Sequence, residues 1–155
     1  MTKLFPVSIK INGQIYERQV EARMLLSDFL RHEIGLFGTH VGCEHGICGA
    51  CTILFDGEAV RSCLMFAVQA SGHEIQTVES LGTPEKMHPL QEAFTEKHAL
   101  QCGFCTPGFL MTLVPFLKQN PHPTDEEVRE AIDGNICRCT GYEKIIEAAQ
   151  EASKK

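Results

Sequence analysis

The sequence predicts an α+β protein in two parts, a mixed strand–helix half followed by an all-α half. Three observations carry that prediction. Before residue 80, apolar and polar residues alternate on either side of Asn-Gly and Asp-Gly turns. After residue 86, apolar residues recur at helical spacing behind capping sequences. Between the two, Ser80-Leu81-Gly82-Thr83-Pro84 ends the strand signals and places a boundary near residues 80–86.

Each element follows in order. Val7, Ile9 and Ile11 alternate with polar neighbours, Asn12-Gly13 reads as a type I′ turn, and Ile15 and Val20 follow, so residues 7–20 form a hairpin. Leu25, Leu26, Phe29, Leu30 and Ile34 fall at helical spacing, with Gly35 as the stop. Residues 38–50 hold four glycines and two cysteines and read as a loop. Thr52–Phe55, a turn at Asp56-Gly57 and Glu58–Arg61 make a second hairpin, and Ile75–Val78 closes the sheet. Leu90, Ala93, Phe94 and Lys97 predict a short helix. Thr106-Pro107 reads as an N-cap with proline at the first helical position, and Phe109–Val114 continues that helix. Pro115 is expected to kink it or end its regular part, because proline removes a backbone donor and clashes one turn back. Thr124-Asp125-Glu126-Glu127 is a capping box opening a helix that ends near Gly134. Tyr142–Ala152 is the last helix, with Ile145, Ile146 and Ala149 facing inward.

The 155 residues suffice for one compact domain or two small ones. Net charge is −6 and the cations are scattered, with Lys154-Lys155 the only basic pair, so nucleic-acid binding has no electrostatic footprint. No apolar stretch approaches the ~20 residues that span a membrane. Met1–Pro6 carries one charge and no apolar core, which does not read as a secretory signal. The expected location is cytoplasmic, where eight cysteines point to metal or redox chemistry rather than disulfides.

Cys43, Cys48 and Cys51 have the spacing C-x4-C-x2-C, and Cys63 follows twelve residues later. This is the plant-type 2Fe–2S ligand pattern. Two bridged irons need four thiolates converging on one compact site, with backbone N–H groups close to the sulfides. Gly42, Gly46 and Gly49 supply the conformational freedom for that approach. The second set is Cys102-Gly103-Phe104-Cys105, then Cys137-Arg138-Cys139 thirty-two residues after Cys105. Both pairs lie at predicted helix starts, which favour an anionic cluster.

Zinc competes for the second set, since two close cysteine pairs can make a four-thiolate site. C-x4-C-x2-C is poor zinc spacing. A Rieske centre needs two histidine ligands, and no cysteine here is followed three residues later by histidine. His45 therefore reads as an exposed loop residue. His32, His40, His73, His88, His98 and His122 show no ligand spacing and read as surface residues. Cys63 taken alone fits a buried small hydrophobe, but no other residue is a candidate for the fourth ligand.

At these residues the chain resembles the small iron–sulfur subunit of the molybdenum hydroxylases, the xanthine dehydrogenase and aldehyde oxidoreductase family. The resemblance runs from about Val7 to Ala149. It rests on Gly42-Cys43 through Gly49-Ala50-Cys51-Thr52, on Gln101–Gly108, and on Gly134-Asn135-Ile136-Cys137-Arg138-Cys139-Thr140-Gly141-Tyr142. It implies a β-grasp, plant-type ferredoxin-like domain over residues 1–82 and a four-helix bundle domain over 83–155, each with one 2Fe–2S cluster. It implies a large subunit with a molybdopterin centre and a medium subunit with FAD, in a heterotrimer or a dimer of heterotrimers. Electrons would pass from the pterin through the helical-domain cluster and the ferredoxin-like cluster to the flavin. By position, Gln101 would hydrogen-bond the pterin, and Cys139 would accept a hydrogen bond from the pterin amino group while ligating iron. Arg138 would offset cluster charge, contact the partner or simply face solvent. On this reading the chain is a non-catalytic electron-transfer subunit of an oxidoreductase with no substrate site of its own. The alternative is a free-standing ferredoxin-type carrier or redox sensor, which would need only the first half.

Overall fold

Alternation places Val7, Ile9 and Ile11 on one face of β1 (Leu4–Ile11), and all three are buried. In the computed structural model, which describes residues 3–155, β1 pairs antiparallel with β2 (Gln14–Glu21). Met1 and Thr2, part of the segment read for a secretory signal, lie outside the described residues. Asn12 and Gly13 both have positive φ, 50° and 83°, as the two-residue turn requires. In this register Ile15 pairs with Lys10, shares its outer face and is 71% exposed. Tyr16, opposite Ile9, takes the core position instead.

The second hairpin joins β3 (Thr52–Phe55) to β4 (Glu58–Arg61), and β5 (Glu74–Gln76) fills the gap between the hairpins. The order is β2-β1-β5-β3-β4, with β1 and β5 parallel and the other pairs antiparallel. The closing strand begins one residue earlier than expected and ends sooner, because Val78 already starts a 3-10 turn. Over the sheet lies α1 (Leu26–Asp28), which widens at once into a π-helical turn over Phe29–Glu33. Ile34 N–H bonds Phe29 O at 3.1 Å, five residues back. That extra residue is invisible to a 3.6-residue periodicity. Gly35, at φ 85°, ends the segment as expected.

The second half holds α2 (Pro89–Glu96), α3 (Thr106–Gln119), α4 (Asp125–Ile132) and α5 (Glu143–Ala152) around one core that includes Phe94, Phe109, Leu113, Val128 and Ile145. The capping box on α4 forms: Thr124 N–H donates to Glu127 Oε2 at 2.7 Å and Glu127 N–H to Thr124 Oγ1 at 3.3 Å. Two expectations about α3 shift. Cys105, not Thr106, is the N-cap, so Pro107 is the second helical residue. The helix also runs through Pro115 to Gln119 without ending. Phe109, Leu110, Met111 and Leu113 are all buried on it, and that burial outweighs one missing ladder bond. Tyr142 stands outside α5 as its N-cap, at φ 70°.

α3 is the element that joins the halves, packing on β3 and β4 as well as on α2 and α4. Gly108 makes this approach possible: a Cβ there would collide with the carbonyl oxygen of Gly49 and lie 3.1 Å from Ala50 Cα. Glycine at 108 is therefore a packing requirement between a helix and a loop.

Candidate metal centres

The first cysteine loop folds tightly because its backbone enters the left-handed region at Glu44, Gly46 and Gly49. The turns aim amide groups at sulfur. Cys48 N–H lies 3.4 Å from Cys43 Sγ. That donor, followed by the amide of His45, holds the Cys43 thiol down at about 6 despite its burial. Burial pushes Cys48 up, with an opposing contribution from the Ala50 amide. Burial, then the neighbouring Cys51 thiol, pushes Cys63 up to about 12. A Cβ on Gly42 would stand 3.2 Å from Cys48 Sγ, so a side chain would crowd that sulfur. Cys63 enters from the 3-10 turn Ser62–Leu64, directly after β4, and is buried beside Cys51. The fold thus gathers all four expected thiols as two neighbouring pairs, Cys43 with Cys48 and Cys51 with Cys63.

The second set assembles from the loop before α3 and the loop before α5. Cys102 and Cys139 are exposed, with sulfurs 3.6 Å apart. Cys105 and Cys137 form the inner pair. Burial, then the Cys137 thiol, drives Cys105 up to about 12. Burial also works against ionising Cys137, yet its thiol is lowered. Donation from the Thr140 hydroxyl and amide, the Cys139 amide and the Cys105 thiol together prevail. The shared hydrogen bond with Cys102 raises Cys139.

Both donor sets fit a two-iron, two-sulfide cluster. Each offers four thiols arranged two and two, as required when each iron takes two cysteines and two bridging sulfides. A single zinc ion needs four sulfurs at about 2.3 Å from one point. A cavity of about 270 Å³ is lined by Cys48, by all four second-set cysteines, and by Phe104 and Ile136.

The two loops are bonded directly to each other. Ile136 N–H donates to Cys48 O at 2.9 Å, so a ligand candidate of one set is one hydrogen bond from the neighbour of a ligand candidate of the other. Asn135, buried, donates from Nδ2 to Gly49 O at 3.2 Å and accepts from Thr112 Oγ1 at 2.9 Å. Arg61 bridges Thr52 Oγ1 and Gly134 O, both at 2.6 Å. His40 bonds Phe104 O at 2.8 Å and stacks on the Phe104 ring.

Gln101, Arg138, Cys102 and Cys139 all lie on the surface, and His45 is exposed as expected. Around them Leu100, Phe104 (48%) and Ile136 (49%) are exposed apolar side chains. Two histidines depart from the surface reading: His40 joins the halves, and half-buried His88 caps α2. Sequence reasoning also missed Asn135, Arg61, Thr140 and Tyr142. Thr140 stands three residues after Cys137, where short-range donation to a side-chain acceptor was foreseeable. Arg61 and Gly134 are seventy-three residues apart, and no local pattern joins them.

Comparison with known proteins places both halves. A family model described as a 2Fe-2S iron-sulfur cluster binding domain matches residues 9–79, and one described as a 2Fe-2S binding domain matches residues 77–150. The chain is 60% identical over 150 residues to the caffeine dehydrogenase subunit gamma of Pseudomonas sp. (strain CBB1), covering 95% of this chain and 90% of that one. It is 39% identical over 166 residues to the aldehyde oxidoreductase iron-sulfur-binding subunit of Escherichia coli (strain K12), covering 97% and 72%. The crystal structure of quinoline 2-oxidoreductase from Pseudomonas putida 86 superimposes with a TM-score of 0.95 at 52% identity, covering 99% of this chain and 96% of that chain.

Proposed function

This chain belongs to the small iron–sulfur subunits of the molybdenum hydroxylase family, and from that premise we propose that it relays electrons through two 2Fe–2S clusters from a molybdopterin centre on a large subunit to FAD on a medium subunit. The observation that carries the reading is the gathering of eight thiols into two sets of four whose loops are joined by the Ile136–Cys48 hydrogen bond. Cys43, Cys48, Cys51 and Cys63 hold the first cluster, in a ferredoxin-like domain over residues 1–82. Cys102, Cys105, Cys137 and Cys139 hold the second, in a four-helix domain over residues 83–155. Each cluster, when bound, takes up and releases one electron.

The chain's own residues hold, shield and connect those clusters. The inner pair Cys105–Cys137 is shielded within the helical core, while Cys102 and Cys139 stay at the surface. Exposed Phe104 and Ile136, which line the cavity beside the second-set cysteines, form an apolar rim suited to burial against the large subunit. Within that rim, the Gln101 amide can both donate to and accept from a pterin edge, and Cys139 Sγ can accept from its amino group. Cys102, Cys105, Cys137 and Cys139 would hold the cluster that receives electrons, and Cys43, Cys48, Cys51 and Cys63 the cluster that passes them onward. On this reading the substrate site lies on the large subunit. Among the described residues no helix is long and apolar enough to cross a membrane. The assembly on this reading is a heterotrimer or its dimer, in the cytoplasm.

Metal and sulfide analysis of the complex purified through this chain tests the reading. The expected result is two larger partner chains, and for this chain two irons and two labile sulfides per cluster in two clusters. Zinc without sulfide in either set overturns the assignment for that set. Purification of the chain alone favours a free carrier.

A further inference from the structure

Cys137 is the most embedded thiol of the second set, 8% exposed and part of the helical core. In such surroundings, a hydrogen bond to sulfur counts for more than it does in water. Thr140 makes two donations to this sulfur, from Oγ1 at 3.0 Å and from its backbone N–H at 3.4 Å. A further contact directs the hydroxyl proton. Tyr142 N–H donates to Thr140 Oγ1 at 3.3 Å, which occupies a lone pair and leaves the O–H for sulfur. Tyr142 is held in place in turn, at φ 70°, with its own hydroxyl accepting from Cys137 N–H at 2.8 Å. Residues 137–142 therefore close on themselves around one sulfur. In the first set, the donors to Cys43 Sγ are backbone amides and the Cys48 thiol.

We propose that Thr140 is a positioning residue that raises the reduction potential of the second cluster by donating its hydroxyl proton in a hydrogen bond to Cys137 Sγ. The inference rests on the reading of Cys102, Cys105, Cys137 and Cys139 as ligands. On reduction the cluster gains one electron, and no bond forms or breaks. The added negative charge spreads onto the ligand sulfurs, so a donor at sulfur stabilises the reduced state more than the oxidised one. Removing the donor shifts the couple to lower potential. A raised potential makes the second cluster the better acceptor for electrons arriving from the large subunit.

The test is a potentiometric titration of the assembled complex with dithionite and mediators, following the two clusters separately by electron paramagnetic resonance. Thr140→Val is expected to shift the second cluster's midpoint to more negative potential and to leave the first cluster's unchanged. Thr140→Ser, which keeps the hydroxyl, is expected to restore the wild-type midpoint. An intact second cluster with an unmoved midpoint in Thr140→Val overturns the inference alone. So does an equal shift of both clusters, which marks a general disturbance. Should Thr140→Val load no second cluster, Thr140→Ala removes the same donor with less bulk. Loss of the cluster in both, with retention in Thr140→Ser, overturns the tuning role in favour of a role in assembly. A wild-type chain with only one cluster signal overturns the ligand reading, and this inference with it.

Discussion

His88 caps α2 with an imidazole nitrogen rather than a hydroxyl or carboxylate. Its Nδ1 accepts Leu90 N–H at 3.1 Å, and its backbone N–H donates to Gln91 Oε1 at 2.9 Å, which completes a capping box. Only the neutral ring can accept, and partial burial lowers the pKa below its ordinary 6.5. The unfolded chain therefore binds this proton first on acidification. The cap's stability is fully present above pH 6.5 and is lost as pH falls through the lower folded-state value. His88→Asn keeps a capping acceptor without a titrating group. Its melting temperature is expected to fall less than that of the wild type between pH 7.5 and 5.5, and parallel slopes in a thermal melt series would sink the idea. The cysteines make a second prediction at this scale. Cys48→Ser is expected to abolish the first cluster's resonance signal and Cys105→Ser the second's, and loss of the same signal in both would break the pairing of ligands. The cysteine sets were readable because their spacing is local and chemically narrow. The His88 cap was not, because histidine rarely caps and the neighbouring Pro89 reads only as a helix start.

At the scale of elements, most of the fold was visible in turn chemistry. Asn12-Gly13 and Asp56-Gly57 each supply two consecutive positive φ angles, and both hairpins form where those pairs stand. Thr124–Glu127 fixed the start of α4 in the same way. What periodicity could not show is how one element meets another. The π-helical turn after α1 and the passage of α3 through Pro115 are both decided by burial against distant residues. Gly108 is the clearest case, because only the folded molecule brings the Gly49 carbonyl against it. Gly108→Ala forces backbone apart between helix and loop and is expected to cost about 1–3 kcal/mol in denaturant unfolding. Because the displaced carbonyl adjoins Cys48, the same variant is expected to lose iron from the first cluster before the second under chelator. Asn135→Ala removes the hydrogen bonds to Gly49 O and from Thr112 Oγ1 and is expected to destabilise by about 1–3 kcal/mol. It is also expected to change the magnetic coupling between the two reduced clusters, and unchanged coupling would show that Asn135 does not hold their spacing.

Across the whole molecule, the thiol-bearing loops sit where the two cores meet, and one of them presents its outer pair to solvent within an apolar rim. Phe104→Glu places a charge in that rim without replacing a candidate ligand. It is expected to weaken retention of the large subunit in size-exclusion chromatography at low protein concentration, with both cluster signals intact. Undiminished assembly would move the interface elsewhere. The bond from Asn135 to the Gly49 carbonyl has a further consequence, for biogenesis. Its partners are eighty-six residues apart, and the first half is synthesised and can pair its strands well before Asn135 leaves the ribosome. Until then the Gly49 carbonyl has only its Thr52 donors and the Cys48 carbonyl lacks Ile136. The loop that is translated first thus gains its last hydrogen bonds only once the loop translated last has folded against it, and the seating of the two loops on each other is a post-translational event.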